Sequence, residues 1–516
     1  MVKADKMSLK TDVQNRRLPD LFEPIYELSE NGNWNFKMLL QGSWFAKTER
    51  IDVRSPMDGT LVATVPSAST SEAEKAVESA YSNRNIIRVI PAVKKIEIFQ
   101  DTRELLLQNE ETFVSVLALE AGKPHSNAHG EVKATAERLK LTPEEYGKIR
   151  GEHIPGDWSD ETIGTDADVL REPLGVILAI SPFNYPLYIT ATKVIPALLA
   201  GNSVVVKTSS KDPLAFLMFA RLLELAGIPA PCLNVITGRG PVGEHLAAQE
   251  KISMLTFTGS TEVGRTLAKV AGLKRLHMEL GGKGCAIVLK DANLELAATE
   301  TVRGSLSYSG QRCDAVSRVF VEEDVAEAFV DNVMAEVATY KMGDPRDISV
   351  NLGPLIDHNA VERVHDLVTD AVKRGAKLLT GGKFQGNYYE PTVLDTVPVD
   401  ARIMWEETFG PVIPIGYVKD ADEAIQLANK SNFGLDSCVF TNNINLARKV
   451  AKRLEEGEVT INAAPRHGVG YYPFGGNKDS GMGREGIGYS IEEMTRLKTI
   501  VYNWRPAKVR ADLVKD

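Results

Sequence analysis

Cysteine is scarce in this sequence, four residues in a chain of 516 with no CxxC pair. Cys232, Cys285, Cys313 and Cys438 stand far apart and join no histidine at metal-ligand spacing. That usage argues against a secreted disulfide scaffold, offers no metal site, and fits reduced thiols in a cytoplasm. Positive charge is not in excess either. Sixty Lys and Arg against 69 Asp and Glu leave a formal net charge of −9. The basic footprint of a nucleic-acid binder is missing, and no such partner is expected. The opening stretch MVKADKMSLKTDVQNRRL lacks the apolar segment of a signal peptide. One uncharged run, 173–192, has the length of a membrane span, but Pro182, Asn184 and Pro186 interrupt it. A spanning helix would break there, so the run reads as a strand over 175–180, a tight turn and a helix, and no membrane partner is expected. There is no internal repeat and no low-complexity tract.

What is present is rhythm. A chain of this length exceeds one compact core, which predicts two or three domains. The first fifty residues read as a peripheral lead-in, followed by a hairpin in SPMDGTLVATVP with Asp58-Gly59 at its turn. From Thr70 to about Leu141 the period is helical, with Ser71 and Glu72 opening the run. Then GVILAIS, SVVVKTS, LNVITG, MLTFTGS and RLHMEL alternate with helical segments. Short apolar strands separated by helices mean βαβ units and a mostly parallel sheet buried on both faces. A second alternating block runs from CAIVLKDAN to EVTINA. The fold class is therefore α/β. The tail SIEEMTRLKTIVYNW ends in an apolar strand with no partner nearby in sequence, an edge that another subunit often covers.

Ligands on such sheets bind beyond the carboxyl ends of the strands. Asn184, Lys207, Gly259 and Glu279 all lie at or just after a strand end. Cys313, in YSGQRCDA, sits in a small-residue loop directly after Arg312, a cation that would lower its pKa. Spacing alone leaves a reactive thiol and a structural cysteine both open. Cys285 and Cys438 fall in apolar strands, where cysteine is usually inert filler, and Cys232 opens a strand after two prolines. Glu279 closes an apolar strand before Gly281-Gly282; poor solvation there raises a carboxyl towards a general base, and the glycines permit close approach. Asn184, between two prolines, could donate its amide to an oxyanion or serve its own turn. In FTGSTEVG, Gly259 and Gly264 flank a helix start with Ser260 at its N-terminus, a place that accepts phosphate. Lys207 could bond ribose hydroxyls or a 2′-phosphate, or be a surface lysine.

Together these segments resemble the aldehyde dehydrogenase superfamily over nearly the whole chain. PFNYP, VVVKTSS, FTGSTEVG, MELGGK, GQRC, EETFGPV, NKSNFGL and PFGGNKDSG stand in the family's order and spacing. The resemblance implies Cys313 as the nucleophile, Asn184 with the Cys313 N–H as oxyanion hole, and Glu279 as the base that activates water. It implies Lys207 and Glu407 on the two riboses, Phe409 beside the nicotinamide and Ser260 at the pyrophosphate. Where members that prefer NAD usually carry a glutamate, this chain has Ser210, which predicts NADP use, with NAD as a second cofactor.

Within the superfamily the chain most resembles the archaeal non-phosphorylating glyceraldehyde-3-phosphate dehydrogenases, through PFNYPLY, the arginine before the cysteine, and NAAPRHGVGYYPFGG. That likeness implies a small phosphorylated aldehyde as substrate, its phosphate near Tyr185, Arg312 and Arg466, and irreversible oxidation of D-glyceraldehyde 3-phosphate to 3-phosphoglycerate without inorganic phosphate. A semialdehyde dehydrogenase acting on succinate semialdehyde or another anionic aldehyde is the alternative. The family's architecture implies a Rossmann-like cofactor domain (20–150 and 173–280), a catalytic domain (281–478) and a small β oligomerisation element (151–172 and 479–505), assembled as a dimer or a homotetramer.

Overall fold

The structure is a computed structural model that describes residues 17–468 and 470–505. The first sixteen residues lie outside these, and the expected peripheral lead-in does not hold for the rest: Trp34 and Phe36 are buried in the core, and Met38–Leu40 pairs with Leu233–Ile236, because apolar side chains in this stretch pack onto the sheet. The hairpin forms as strands Arg50–Arg54 and Leu61–Pro66, with Gly59 at φ +74° in its turn. The helical region begins at Thr70, but its cap is Ser69 and not Ser71. The Ser69 hydroxyl accepts from the Glu72 N–H while the Glu72 carboxylate accepts from the Ser69 N–H, a reciprocal box that satisfies two end donors. Helices Ala92–Gln108, Glu110–Ala121 and His125–Glu144 complete this layer.

The run over 173–192 folds as read from its prolines: strand Val176–Ile180, a turn, and helix Tyr188–Leu199, every residue of both elements buried. Among the described residues no helix is long and apolar enough to cross a membrane. The strand lies at the middle of an eight-stranded sheet. Its five central strands are parallel, in the order Arg275–Glu279, Met254–Thr258, Val176–Ile180, Ser203–Lys207, Leu233–Ile236. The chain starts in the centre, works out to one side, then returns to fill the other. That reversal opens a crevice beyond the carboxyl ends at the switch. Register brings Ile180, Lys207, Ile236 and Thr258 with Glu279 to the same edge of the sheet.

The second block is a seven-stranded sheet centred on Arg318–Glu322 and Cys285–Val288, parallel except where Lys377–Thr380 pairs with Thr392–Asp395. The tail strand Thr495–Asn503 has its partner inside the chain. It pairs antiparallel over nine residues with Thr165–Pro173, which also pairs with Glu152–Pro155. The segment 479–505 is divided, because Gly481–Met482 instead edges the eight-stranded sheet against Met278 and Glu279.

Candidate active site

A buried carboxylate on the helical layer, Glu131, organises the turn that follows the central strand. Glu131 Oε1 accepts both the Leu187 and Tyr188 N–H groups at 3.0 Å, capping helix Tyr188–Leu199. Its other oxygen pairs with Lys123, and neither side chain has any solvent exposure. Lys123 Nζ also donates to the Asn184 carbonyl at 2.7 Å and lies 3.7 Å from the centre of the Tyr185 ring. The SPFNYP turn is therefore gripped through its backbone. Asn184 is buried, and its side-chain amide has no hydrogen-bond partner among the described residues. Lys123 and Glu131 were missed by the sequence reading; nothing in the stretch EAGKPHSNAHGEV marks their charges as buried.

The thiol loop is bent by Tyr308, Ser309 and Gly310, all at positive φ. A Cβ on Gly310 would stand 2.2 Å from the Gly410 carbonyl oxygen, so this position demands glycine. The bend is pinned by Tyr308 Oη to Ala121 O (3.0 Å), Ser309 Oγ to Gly353 O (2.7 Å) and the Ile356 N–H to Gln311 Oε1 (2.8 Å). Cys313 emerges half-buried, whereas Cys232, Cys285 and Cys438 are buried.

Cys313 and Glu279 line one cavity of about 250 Å³, together with Tyr185, Arg312 and Arg466. Glu279 Oε1 has no partner, and burial, followed by the nearby charge of Glu485, pushes its carboxyl up to about 7. Glu485 was also missed; it accepts from His467 Nε2 and pairs with Lys193 Nζ at 3.5 Å. The expectation that Arg312 acidifies the thiol fails. Burial, then the charges of Glu279 and Asp314, hold Cys313 well above the usual thiol range. The guanidinium is already matched: Arg312 Nε donates to Asp314 Oδ1 at 3.0 Å and Nη2 to Asp314 Oδ2 at 2.8 Å. The two glycines after Glu279 do permit close approach. A Cβ on Gly282 would lie 2.4 Å from the Cys313 carbonyl oxygen, and one on Gly281 3.0 Å from Glu407 Oε2.

Of the residues expected to meet a cofactor, Glu407 and Phe409 line a second cavity of about 280 Å³ with Phe183 and Lys211. Phe409 is held at φ +52° and meets the Phe183 ring edge-on. Glu407 Oε1 accepts the Gly282 N–H at 3.1 Å. Lys207 and Ser210 line neither cavity. Lys207 is 8% exposed, its ammonium makes no hydrogen bond or ion pair among the described residues, and burial pulls it down to about 8. Ser260 caps helix Thr261–Ala271, accepting from the Val263 N–H at 3.4 Å, while Gly259 and Gly264 leave room for the Phe257 ring and for Leu280. Among the described residues, an unpaired lysine and the buried, unpartnered hydroxyls of Thr208 and Thr258, at strand ends on either side of the central strand, fit a polar, phosphorylated dinucleotide.

The model of the aldehyde dehydrogenase family matches residues 44–500. The chain belongs to the aldehyde dehydrogenase family. This aldehyde dehydrogenase is 40% identical, over 91% of its length and 98% of the relative's, to an NADP-dependent glyceraldehyde-3-phosphate dehydrogenase of Streptococcus equinus. It is 36% identical, over 90% of its length and 100% of the relative's, to a lactaldehyde dehydrogenase of Methanococcus aeolicus. Among solved structures, the NADP-dependent glyceraldehyde-3-phosphate dehydrogenase of Bacillus halodurans, complexed with NADP, superposes with a TM-score of 0.89 at 39% identity, covering 91% of this chain and 100% of that one.

Two variants test how this aldehyde dehydrogenase holds its site. Gly282→Ala must displace the Cys313 backbone; it should cost about 1–3 kcal/mol in chemical denaturation and slow labelling of Cys313 by a thiol reagent. Lys123→Met leaves the Glu131 charge buried and unpaired, so stability should fall by about 3–5 kcal/mol and kcat with it. An unchanged denaturation midpoint for Lys123→Met would remove the ion pair from this account.

Proposed function

We propose that this aldehyde dehydrogenase oxidises D-glyceraldehyde 3-phosphate to 3-phosphoglycerate with NADP and water, independently of inorganic phosphate. The observation that carries the chemistry is the shared cavity of Cys313 and Glu279, whose carboxyl sits near 7. A base poised there can take a proton from water at physiological pH, while the thiol proton leaves to solvent. The Cys313 thiolate adds to the aldehyde carbon. The Asn184 amide and the Cys313 N–H donate to the alkoxide of the thiohemiacetal. NADP, when bound, supplies the hydride acceptor. Glu279 then takes a proton from the water that attacks the Cys313 thioester, and the thiolate leaves as the carboxylate product forms. Lys207 and Ser210 favour NADP: a lysine with a neighbouring hydroxyl accepts a 2′-phosphate that a glutamate would repel.

The substrate rests on the Streptococcus and Bacillus relatives and on Arg466 at the cavity. A second reading, an uncharged 2-hydroxyaldehyde such as lactaldehyde, is favoured by the Methanococcus relative and by the pairing of Arg312 with Asp314. We also propose that the three-stranded sheet ending in Thr495–Asn503, whose Leu497 and Val501 are exposed, bridges subunits.

Turnover of glyceraldehyde 3-phosphate in phosphate-free buffer, with kcat/KM for NAD below that for NADP, is the expected result; dependence on added phosphate or coenzyme A would overturn the reading. Because Glu279 must be ionised to act as base, hydrolysis should rise with pH through about 7 and fall away below it. Glu279→Ala should keep a stoichiometric NADPH burst while steady turnover drops about 10²–10⁴-fold. Loss of the burst as well would give Glu279 a structural role.

A further inference from the structure

Several cations around the catalytic cavity are held by carboxylates. Lys123 faces Glu131, Lys193 and His467 share Glu485, and Arg312 faces Asp314. Only Arg466 stands exposed at the lining with no ion pair among the described residues. A phosphate brought into the cavity loses its hydration, and cations already engaged by carboxylates offset that loss only in part.

The Arg312–Asp314 pair is the decisive member of this set. Both side chains line the cavity, at 7% and 6% exposure, and they lie two residues apart on the thiol loop. The Nε/Nη2 edge of the guanidinium is the fork that grips a phosphate with two parallel bonds. Here that fork is filled by the two Asp314 oxygens, and Nη2 also donates to the Pro465 carbonyl at 3.3 Å. Nη1 is the nitrogen left without a partner among the described residues. Asp314 is itself anchored, because the His467 N–H donates to its Oδ2 at 3.1 Å. A doubly charged substrate must either displace this carboxylate or settle for one bond to Nη1.

We infer that Asp314 is a specificity-determining residue: by occupying the fork of Arg312 it weakens the hold on phosphorylated aldehydes and admits uncharged 2-hydroxyaldehydes to the same cavity. The inference rests on the reading above, that the cavity takes a short hydroxyaldehyde. Asp314 acts on substrate only through Arg312, and that makes it separable by a double-mutant cycle.

The measurement is the ratio of kcat/KM for D-glyceraldehyde 3-phosphate over D-glyceraldehyde, with NADP, in wild type, Asp314→Asn, Arg312→Gln and the double variant. Asp314→Asn should raise the ratio about tenfold, through a lower KM for the phosphorylated aldehyde, whereas adding it to Arg312→Gln should leave the ratio unmoved. An unchanged or lower ratio in Asp314→Asn, or an equal rise in the Arg312→Gln background, would overturn the inference. Asp314→Ser, scored in the same way, replaces Asp314→Asn if that variant does not fold. In wild type, 3-phosphoglycerate should inhibit less than about tenfold more tightly than glycerate; a hundredfold difference would likewise sink the proposal. If wild type oxidises neither aldehyde, the functional reading fails on its own. The same cycle with succinate semialdehyde against butyraldehyde then decides the role of Asp314.

Discussion

The dry ion pair between Lys123 and Glu131 is the contact on which the site's geometry depends. Glu131 belongs to helix His125–Glu144, yet its carboxylate caps a helix that follows the central strand, and its lysine partner grips the turn between them. Two stretches distant in sequence, one helix and the later turn with the helix it opens, are thereby fixed to one buried charge. The same lysine lies under the Tyr185 ring and near that of Tyr308, and the two rings meet edge-on with centroids 6.0 Å apart. Tyr308 opens the thiol loop. The turn bearing Asn184 and the loop bearing Cys313 are thus referenced to a common point, although they belong to different sheets. Broken pairs of this kind are costly because the surviving charge has no water to return to.

Burial works in the same direction on the two acids that share the cavity, with different consequences. It raises Glu279 to about 7, where a carboxyl can exchange protons at neutral pH, and it raises Cys313 well beyond that. Each anion disfavours the other, so the resting site holds one of them in protonated form. A thiol left neutral until its proton leaves is protected from wasteful oxidation, since reactivity follows the thiolate. The carboxylate of Glu485 and the cations of Lys193 and His467 push Glu279 in opposite directions, which leaves its position set by a balance and not by one neighbour.

Much of this was legible in the sequence because strand ends are legible. The alternation of apolar strands and helices located the parallel sheet, and simple register then placed Lys207 and Glu279 along one edge. The need for glycine after Glu279 followed from chemistry and holds in space. Contacts across long separations were not legible. Lys123, Glu131 and Glu485 look like surface charges in a one-dimensional reading, since nothing local announces that water is absent around them. The tail strand's partner lies over three hundred residues away, at Thr165–Pro173. Gly264 looked like part of a phosphate loop; its missing side chain is filled by Leu280, a packing reason that no motif encodes.

Arg312 shows why a neighbour in sequence is a poor guide to electrostatics. Adjacent to the thiol, it was expected to acidify it; that attraction persists but is outweighed by burial and by the carboxylates of Glu279 and Asp314, the latter bound to the guanidinium as a bidentate pair. The carboxylate then adds its own effect, and the Cys313 thiol is raised by it. The tripeptide Arg312-Cys313-Asp314 thus ties two properties together. A change that frees the arginine for an anionic substrate also removes a negative charge beside the nucleophile and favours its thiolate. Affinity for charged aldehydes and reactivity of the thiol are coupled through one carboxylate. A chain that keeps it has accepted a less reactive resting thiol together with an arginine already engaged.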